Sequence, residues 1–418
     1  MSPRRHFLAI ALAALLLAAG PAPAAAAGGH VIDAATGAPI DGATVTFGER
    51  VAHSDATGAF RLDATAPAPL QLRAPGYARK SVPFAGGDDV GSIALTALSP
   101  KALYLSSFGV TSRILREAAL ALADKGEINA LVIDVKGDRG LILHHSAIPL
   151  AAEIGAQKIA FVKDIKGMVA GLKARGLYLI ARIVVFKDDP LAAARPDLAV
   201  KGPGGGLWHD REGLAWVDPF RAEVWDYDIA IAVEAAESGF DEIQFDYVRF
   251  PDTVGLVFSQ PSTPAGRTGA IGEFLTRAQR RLAPYNVFVA SDIFGYVCWN
   301  TNDTFIGQQI EELATKVDYL SPMLYPSGFQ FGIPGYRDPV ANPYEVVHLS
   351  LERAKKRTGL PGTRFRPWLQ SFKDYGFDRR KFEAAEIGAQ IRAANQSGTD
   401  GWMLWNPHNV YSEAGLAN

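Results

Sequence analysis

From Lys101 onward the chain alternates apolar, strand-length runs with helix-length amphipathic segments, and it does so eight times. This constrains the fold more than any other feature, because a strand, a helix and a following parallel strand form a unit that packs helices against a sheet. The strands are expected at Ala102 to Phe108, Ala130 to Gly137, Leu177 to Phe186, Glu242 to Phe250, Val287 to Phe294, Tyr319 to Tyr325, Arg366 to Phe372 and Gly401 to Asn406. Helices are expected at Ser112 to Lys125, Phe161 to Arg175, Phe220 to Ser238, Ile271 to Leu282, Asp303 to Thr315, Tyr344 to Arg357 and Arg379 to Asn395. Eight strands with seven intervening helices predict an α/β protein of the (β/α)8 TIM-barrel type. An open doubly wound sheet is the alternative, but no Gly-rich dinucleotide fingerprint follows the first strand.

The text before Lys101 is different. Gly29 to Leu95 holds short strand-like runs separated by turn pairs such as Thr36-Gly37 and Thr57-Gly58, with no helix-length period. Such spacing predicts a small all-β sandwich. Ahead of it, Arg4 and Arg5 precede an apolar run from Phe7 to Ala19, and small residues continue to Ala27. That is the pattern of an export signal, too short for a confident membrane span; a retained N-terminal anchor is the alternative. The Arg4-Arg5-His6-Phe7-Leu8 tract only weakly matches the twin-arginine export pattern, because Pro3 replaces the usual Ser or Thr. The expected layout is a signal peptide over 1–27, a β-sandwich over 28–98 and a barrel over 99–418. The mature protein is expected to be periplasmic or extracellular, with no membrane span.

Charge and cysteine content narrow the chemistry. With 42 Lys or Arg against 44 Asp or Glu, the net charge of −2 gives no electrostatic case for nucleic acid. The single cysteine, Cys298, cannot form an intramolecular disulfide or a Cys-based zinc site. No His-Glu-x-x-His helix and no Gly-x-Ser-x-Gly elbow is present. No metal or other cofactor is implied.

A barrel places its chemistry at the C-terminal ends of the strands, and polar residues gather there. Strand two ends Asp134-Val135-Lys136, strand three carries Arg182, and strand four reads Gln244-Phe245-Asp246-Tyr247-Val248-Arg249. Strand five ends Ser291-Asp292, strand six ends at Tyr325, strand seven carries Trp368 and Gln370, and strand eight ends Trp405-Asn406. Period-two alternation puts Gln244 and Asp246 on the axis-facing side of strand four, and Asp134 with Lys136 on one face of strand two. Asp246 and Asp292 are the candidate catalytic pair, since glycosidic bond cleavage uses two carboxyl groups. Asp134, Lys136, Arg182, Arg249, Tyr325, Trp368, Gln370, Trp405 and Asn406 are the candidate substrate-binding residues. Each has a plainer reading: an Asp at a strand end pairs with an Arg, a Trp fills core, and Asp218 caps the helix expected at Phe220. The loop from Lys187 to Trp216 is long enough to wall a cleft.

Two resemblances add to this reading. Gly29-His30-Val31-Ile32-Asp33, Asp55-Ala56-Thr57-Gly58-Ala59-Phe60 and Gly76-Tyr77 resemble the carboxypeptidase regulatory-like domain, a transthyretin-like sandwich. Ala130 to Lys136, Ala181 to Asp188, Trp216-Val217-Asp218-Pro219, Phe245 to Pro251, Ser291 to Gly295, Ser321 to Pro326 and Arg366 to Gln370 together resemble domain-of-unknown-function family 4015, a bacterial family of predicted glycoside hydrolase barrels. That family is distantly similar to the α-amylase clan, in which a nucleophilic Asp follows strand four and a general acid follows strand five. The resemblance implies Asp246 as nucleophile and Asp292 as acid. Two departures stand out. The clan's acid is normally Glu, and its third carboxylate follows strand seven, where this chain has Gln370-Ser371-Phe372, with Asp374 a little further on. The expected function is therefore an exported glycoside hydrolase with a polysaccharide or oligosaccharide substrate. A glycan-binding or structural envelope protein on the same barrel is the alternative. Sugar, linkage and oligomeric state are not legible.

Overall fold

The computed structural model describes residues 26–63 and 68–416, so the expected export signal falls outside the described residues up to position 25. Seven strands form the N-terminal region: β1 (Ala26–Asp33), β2 (Thr44–Phe47), β3 (Arg50–His53), β4 (Ala59–Asp63), β5 (Leu70–Arg73), β6 (Lys80–Val82) and β7 (Asp89–Leu95). They make two sheets, β4-β1-β7 and β3-β2-β5-β6. Alternate residues such as Val31, Val45, Leu62, Leu70, Leu72 and Ile93 point into one shared core. Gly58 turns with φ +76°, and a Cβ there would meet the Val31 carbonyl at 2.5 Å, so the turn before β4 requires glycine.

Eight parallel strands then close into a barrel: β8 (Lys101–Leu105), β9 (Ala130–Lys136), β10 (Tyr178–Val184), β11 (Glu242–Asp246), β12 (Phe288–Phe294), β13 (Tyr319–Met323), β14 (Trp368–Gln370) and β15 (Trp402–Trp405). Pleat alternation divides each strand between two cores. Leu103, Ile133, Ile243 and Phe245 pack outward on the helices, while Ala102, Val132, Ile180, Ala290 and Met403 fill the axis. Burying one such large apolar side chain contributes roughly 1.5–3 kcal/mol. Gly401 (φ +74°) lets the chain enter β15 beside Pro100, whose carbonyl a Cβ would strike at 1.8 Å.

The expected helices form with shifted ends, among them Arg113–Asp124, Ile165–Lys173, Ala222–Glu237, Pro264–Leu282, Pro343–Thr358 and Ala384–Gln396. Three expectations need correction. The helix expected at Asp303 to Thr315 shrinks to Ile310–Leu313. Asp303 instead pairs with Arg267 at 2.6 Å, while Thr304 and Phe305 take positive φ, which breaks helical continuation. Strand four stops at Asp246, because Tyr247 adopts φ +48°. Asp218 serves a loop and not a helix cap, accepting from Phe220 N at 3.0 Å and Ser259 N at 2.6 Å.

The sandwich docks on the end of the barrel where the strands begin. Arg79 pairs with Asp241, just before β11, at 2.6 Å, and Arg73 reaches Asp318, just before β13, at 3.4 Å. Gly76 N lies 3.2 Å from both the Tyr319 hydroxyl and Asp400 Oδ2. Beneath this contact Arg366, fully buried, ties Glu242 to Asp400. The opposite end, where the strands finish, is left open.

Candidate active site

The open end holds a cavity of about 280 Å³. Of the residues expected there, Arg182, Asp246, Arg249, Tyr325, Trp368 and Trp405 line it. Asp134 and Asp292 sit just beneath its lining. Lys136, Gln370 and Asn406 are elsewhere.

Arg182 organises the centre. Its Nε and Nη2 donate to Asp246 Oδ2 at 2.9 and 2.6 Å, its Nη1 to Asp134 Oδ1 at 2.7 Å, and its Nη2 also to Asp138 Oδ1 at 2.8 Å. One buried guanidinium thus faces three carboxylates. Its remaining contacts are rings: the guanidinium lies 4.9 Å from the centre of Trp405 and 5.7 Å from that of Tyr104. Trp405 stacks on Tyr104 at 3.8 Å, and the Tyr104 hydroxyl donates to Asp134 Oδ2 at 2.6 Å. Burial raises Asp134 to about 6, against the opposing pull of Arg182. Asp246 Oδ1 accepts from the Tyr247 backbone N–H at 2.6 Å. Tyr247 itself takes φ +48°, a strained conformation for a non-glycine residue, directly beside the carboxylate at the strand end.

Asp292 is sealed under the floor, 1% exposed. Its Oδ1 accepts from Trp368 Nε1 at 2.8 Å, and its Oδ2 has no hydrogen-bond partner among the described residues. Burial, and then the charge of Asp246, push it well above the usual carboxylate range, which favours its protonated form. Tyr325 lines the cavity, and burial, with Asp292 and Asp246 nearby, raises its hydroxyl well above the usual phenol range.

Three expected residues do other work. Lys136 is wholly buried and pairs with Asp188 at 2.6 Å and Asp228 at 2.7 Å. The cause is a register shift: Arg182 stands opposite Asp134, but Ile183 stands opposite Lys136, so strict alternation fails at Val135. Gln370 is consumed by Ser327, Phe372 and Gln390. The Asn406 amide donates to Ser371 O at 2.5 Å and its oxygen accepts from His408 N at 2.9 Å. Asp374 also stays out of the cavity. Bonds from Ser327 and from the backbone of Gly376, Phe377 and Arg379 outweigh burial and lower it to about 2, the signature of a loop staple.

Asp138, Tyr247, Tyr296 and Tyr375 line the cavity but were not singled out. For Asp138 a signal existed: Gly137-Asp138-Arg139-Gly140 is a glycine-flanked turn directly after a barrel strand. Among the described residues no group of three His, Cys, Asp or Glu is placed to hold a metal ion, and no helix is long and apolar enough to cross a membrane.

A closed parallel barrel with carboxylates, an arginine and aromatic rings at its C-terminal mouth defines a glycosidase-type barrel. The chain belongs to the family described as "Putative glycosyl hydrolase domain", which matches residues 102–411. Among solved structures, the glycoside hydrolase domain of PgaB (BpsB) from Bordetella bronchiseptica is similar at 13% identity, covering 74% of this chain and 95% of that one, with a TM-score of 0.55. This likeness shows the fold. A hypothetical protein from Ruminiclostridium thermocellum is 39% identical over 46% of this chain and 96% of its own, with a TM-score of 0.42. A chitinase from Chromobacterium violaceum is 12% identical over 77% of this chain and 100% of its own, with a TM-score of 0.45. No curated protein matches the chain.

Proposed function

We propose that the protein is an exported glycoside hydrolase that cleaves a polysaccharide of the cell envelope or its surroundings. The observation that carries this reading is Asp246, anchored through two N–H donors of Arg182 and open to an aromatic-lined cavity. Asp246 is the carboxylate that attacks the anomeric carbon or activates the water that does so. Asp292 is its neutral counterpart: two carboxyl groups whose environments push their protonation apart are the acid–base pairing that this chemistry uses. In net terms the leaving oxygen takes a proton from the acid. Water then supplies hydroxide to the anomeric carbon, and its remaining proton restores the acid. The N-terminal segment supports export, and the sandwich is read as a carboxypeptidase regulatory-like module with a structural role.

One observation favours a second reading, glycan binding without turnover. Asp292 is closed off beneath Trp368 and does not line the cavity. A reducing-end assay on a panel of bacterial exopolysaccharides and storage glucans separates the two. Release by wild type, with nearly all of it lost in Asp246→Asn and in Asp292→Asn, supports hydrolysis through this pair. Loss in Asp246→Asn alone removes Asp292 from the mechanism. Binding of a panel member without release by any form supports the second reading.

A further inference from the structure

The mouth of the barrel extends beyond the cavity over Asp246. Tyr247 and Arg249 line that cavity and also a second hollow of about 470 Å³, walled on its far side by Trp208 and Arg211 of the 187–216 loop. Arg249 is held flat, its guanidinium 5.0 Å from the Trp216 ring centre and 5.3 Å from that of Tyr247. It gives one N–H to Phe250 O at 3.0 Å, and its other donors have no acceptor among the described residues. Trp216 is buried and anchors its indole N–H on Asp210 at 3.0 Å. Trp208 is the reverse case: half-buried, tilted 57° against Trp216, its indole N–H without an acceptor among the described residues. Further round the mouth, Phe331 after β13 is 83% exposed and packs beside Tyr296 at 6.3 Å, and Tyr375 after β14 is 55% exposed and lines the cavity. Strand β10, whose following loop carries Trp208, lies across the closed barrel from β14, which Tyr375 follows. Exposed rings at both ends, with unused donors between them, make a surface of flat apolar faces and polar edges. A row of pyranose rings has the same character.

We propose that this mouth is a trough for several consecutive sugar rings of a linear polysaccharide, running from Trp208 past Asp246 to Phe331, so that cutting falls inside chains and not at their ends. The cutting step rests on the glycoside hydrolase reading; the binding does not.

The test uses the full mature chain. Electrophoresis in gels cast with glycol chitin, carboxymethylcellulose or soluble starch reads binding, and viscosity against reducing ends reads where the cut falls. Retardation by one polymer is expected, weakened about tenfold by Trp208→Ala and, at the opposite end, by Phe331→Ala. Because Phe331 is exposed, its variant keeps the wild-type melting temperature even if Trp208→Ala does not. Viscosity should fall while few reducing ends have appeared. No retardation in any gel, unchanged retardation in both variants, or release of only mono- and disaccharides at constant viscosity overturns the trough. Retardation lost in the ring variants, with Asp246→Asn turning over like wild type, overturns the catalytic reading and leaves the trough standing.

Discussion

Arg182 reaches a single oxygen of Asp246, Oδ2, through both Nε and Nη2, at 2.9 and 2.6 Å. The other oxygen takes the Tyr247 N–H, so the carboxylate cannot rotate without losing three bonds. A lysine at 182 keeps the charge but cannot hold one oxygen from two points while also reaching Asp134 and Asp138. Arg182→Lys is therefore expected to fold and to lose turnover about a hundredfold or more. Steady-state kinetics beside a melting curve check this, and a variant with near wild-type kcat would show that the clamp is dispensable.

Asp292 gives a pH signature with a definite sign. Its folded value is raised by burial and by Asp246, so the folded chain keeps a proton that the unfolded chain releases above its ordinary carboxylate range. Stability from this group is complete at low pH and declines as pH rises towards the folded value, by about 1.4 kcal/mol per pH unit. Asp292→Asn has no proton to lose, and its oxygen can still accept from Trp368. Its melting temperature should fall less than that of wild type between about pH 5 and pH 7. Parallel curves for the two proteins would mean that Asp292 is ionised in the native state.

Lys136 yields a prediction about stability, not binding. Removing its charge leaves Asp188 and Asp228 facing each other in the core without a cation. Lys136→Met is expected to cost about 3–5 kcal/mol, with the second change Asp228→Asn recovering part of it. Denaturant unfolding reads both. A neutral single variant would contradict the buried pairing.

The sandwich and the barrel should melt together. Arg79–Asp241, Arg73–Asp318 and the Gly76 contacts join them at the closed end. Arg79→Ala leaves Asp241 with Lys173 as its remaining cation, and a loss of about 1–2 kcal/mol in one cooperative transition is expected. Two separate calorimetric peaks would show independent units.

Strand β1 bears on where an exported form begins. Ala26 pairs with Asp63 and Ala27 with Leu62, and Ala27 is fully buried. Cleavage after Ala27 would remove both pairings, whereas Ala22-Pro23-Ala24 offers a small-x-small site upstream. Sequencing the N-terminus of secreted protein should find it at or before Ala26.

The barrel was legible because its signal is repetitive: eight apolar runs separated by seven helix-length segments leave few topologies. Asp246 and Arg182 could be placed because alternation holds along β10 and β11. Lys136 could not, since one extra residue at Val135 reverses a side chain without changing composition. Gln370 was misplaced for another reason: its partners Ser327 and Gln390 come from distant segments. The sealing of Asp292 depends on where the Trp368 indole points, which no local pattern encodes.

The docking of the sandwich gives the molecule two poles. Strand β1, where the described chain begins, belongs to the sandwich at the pole away from the rings and carboxylates of the mouth. A support attached there would hold the protein like a lamp on its stand, with the working face turned outward and free to meet polymers too large to diffuse around it.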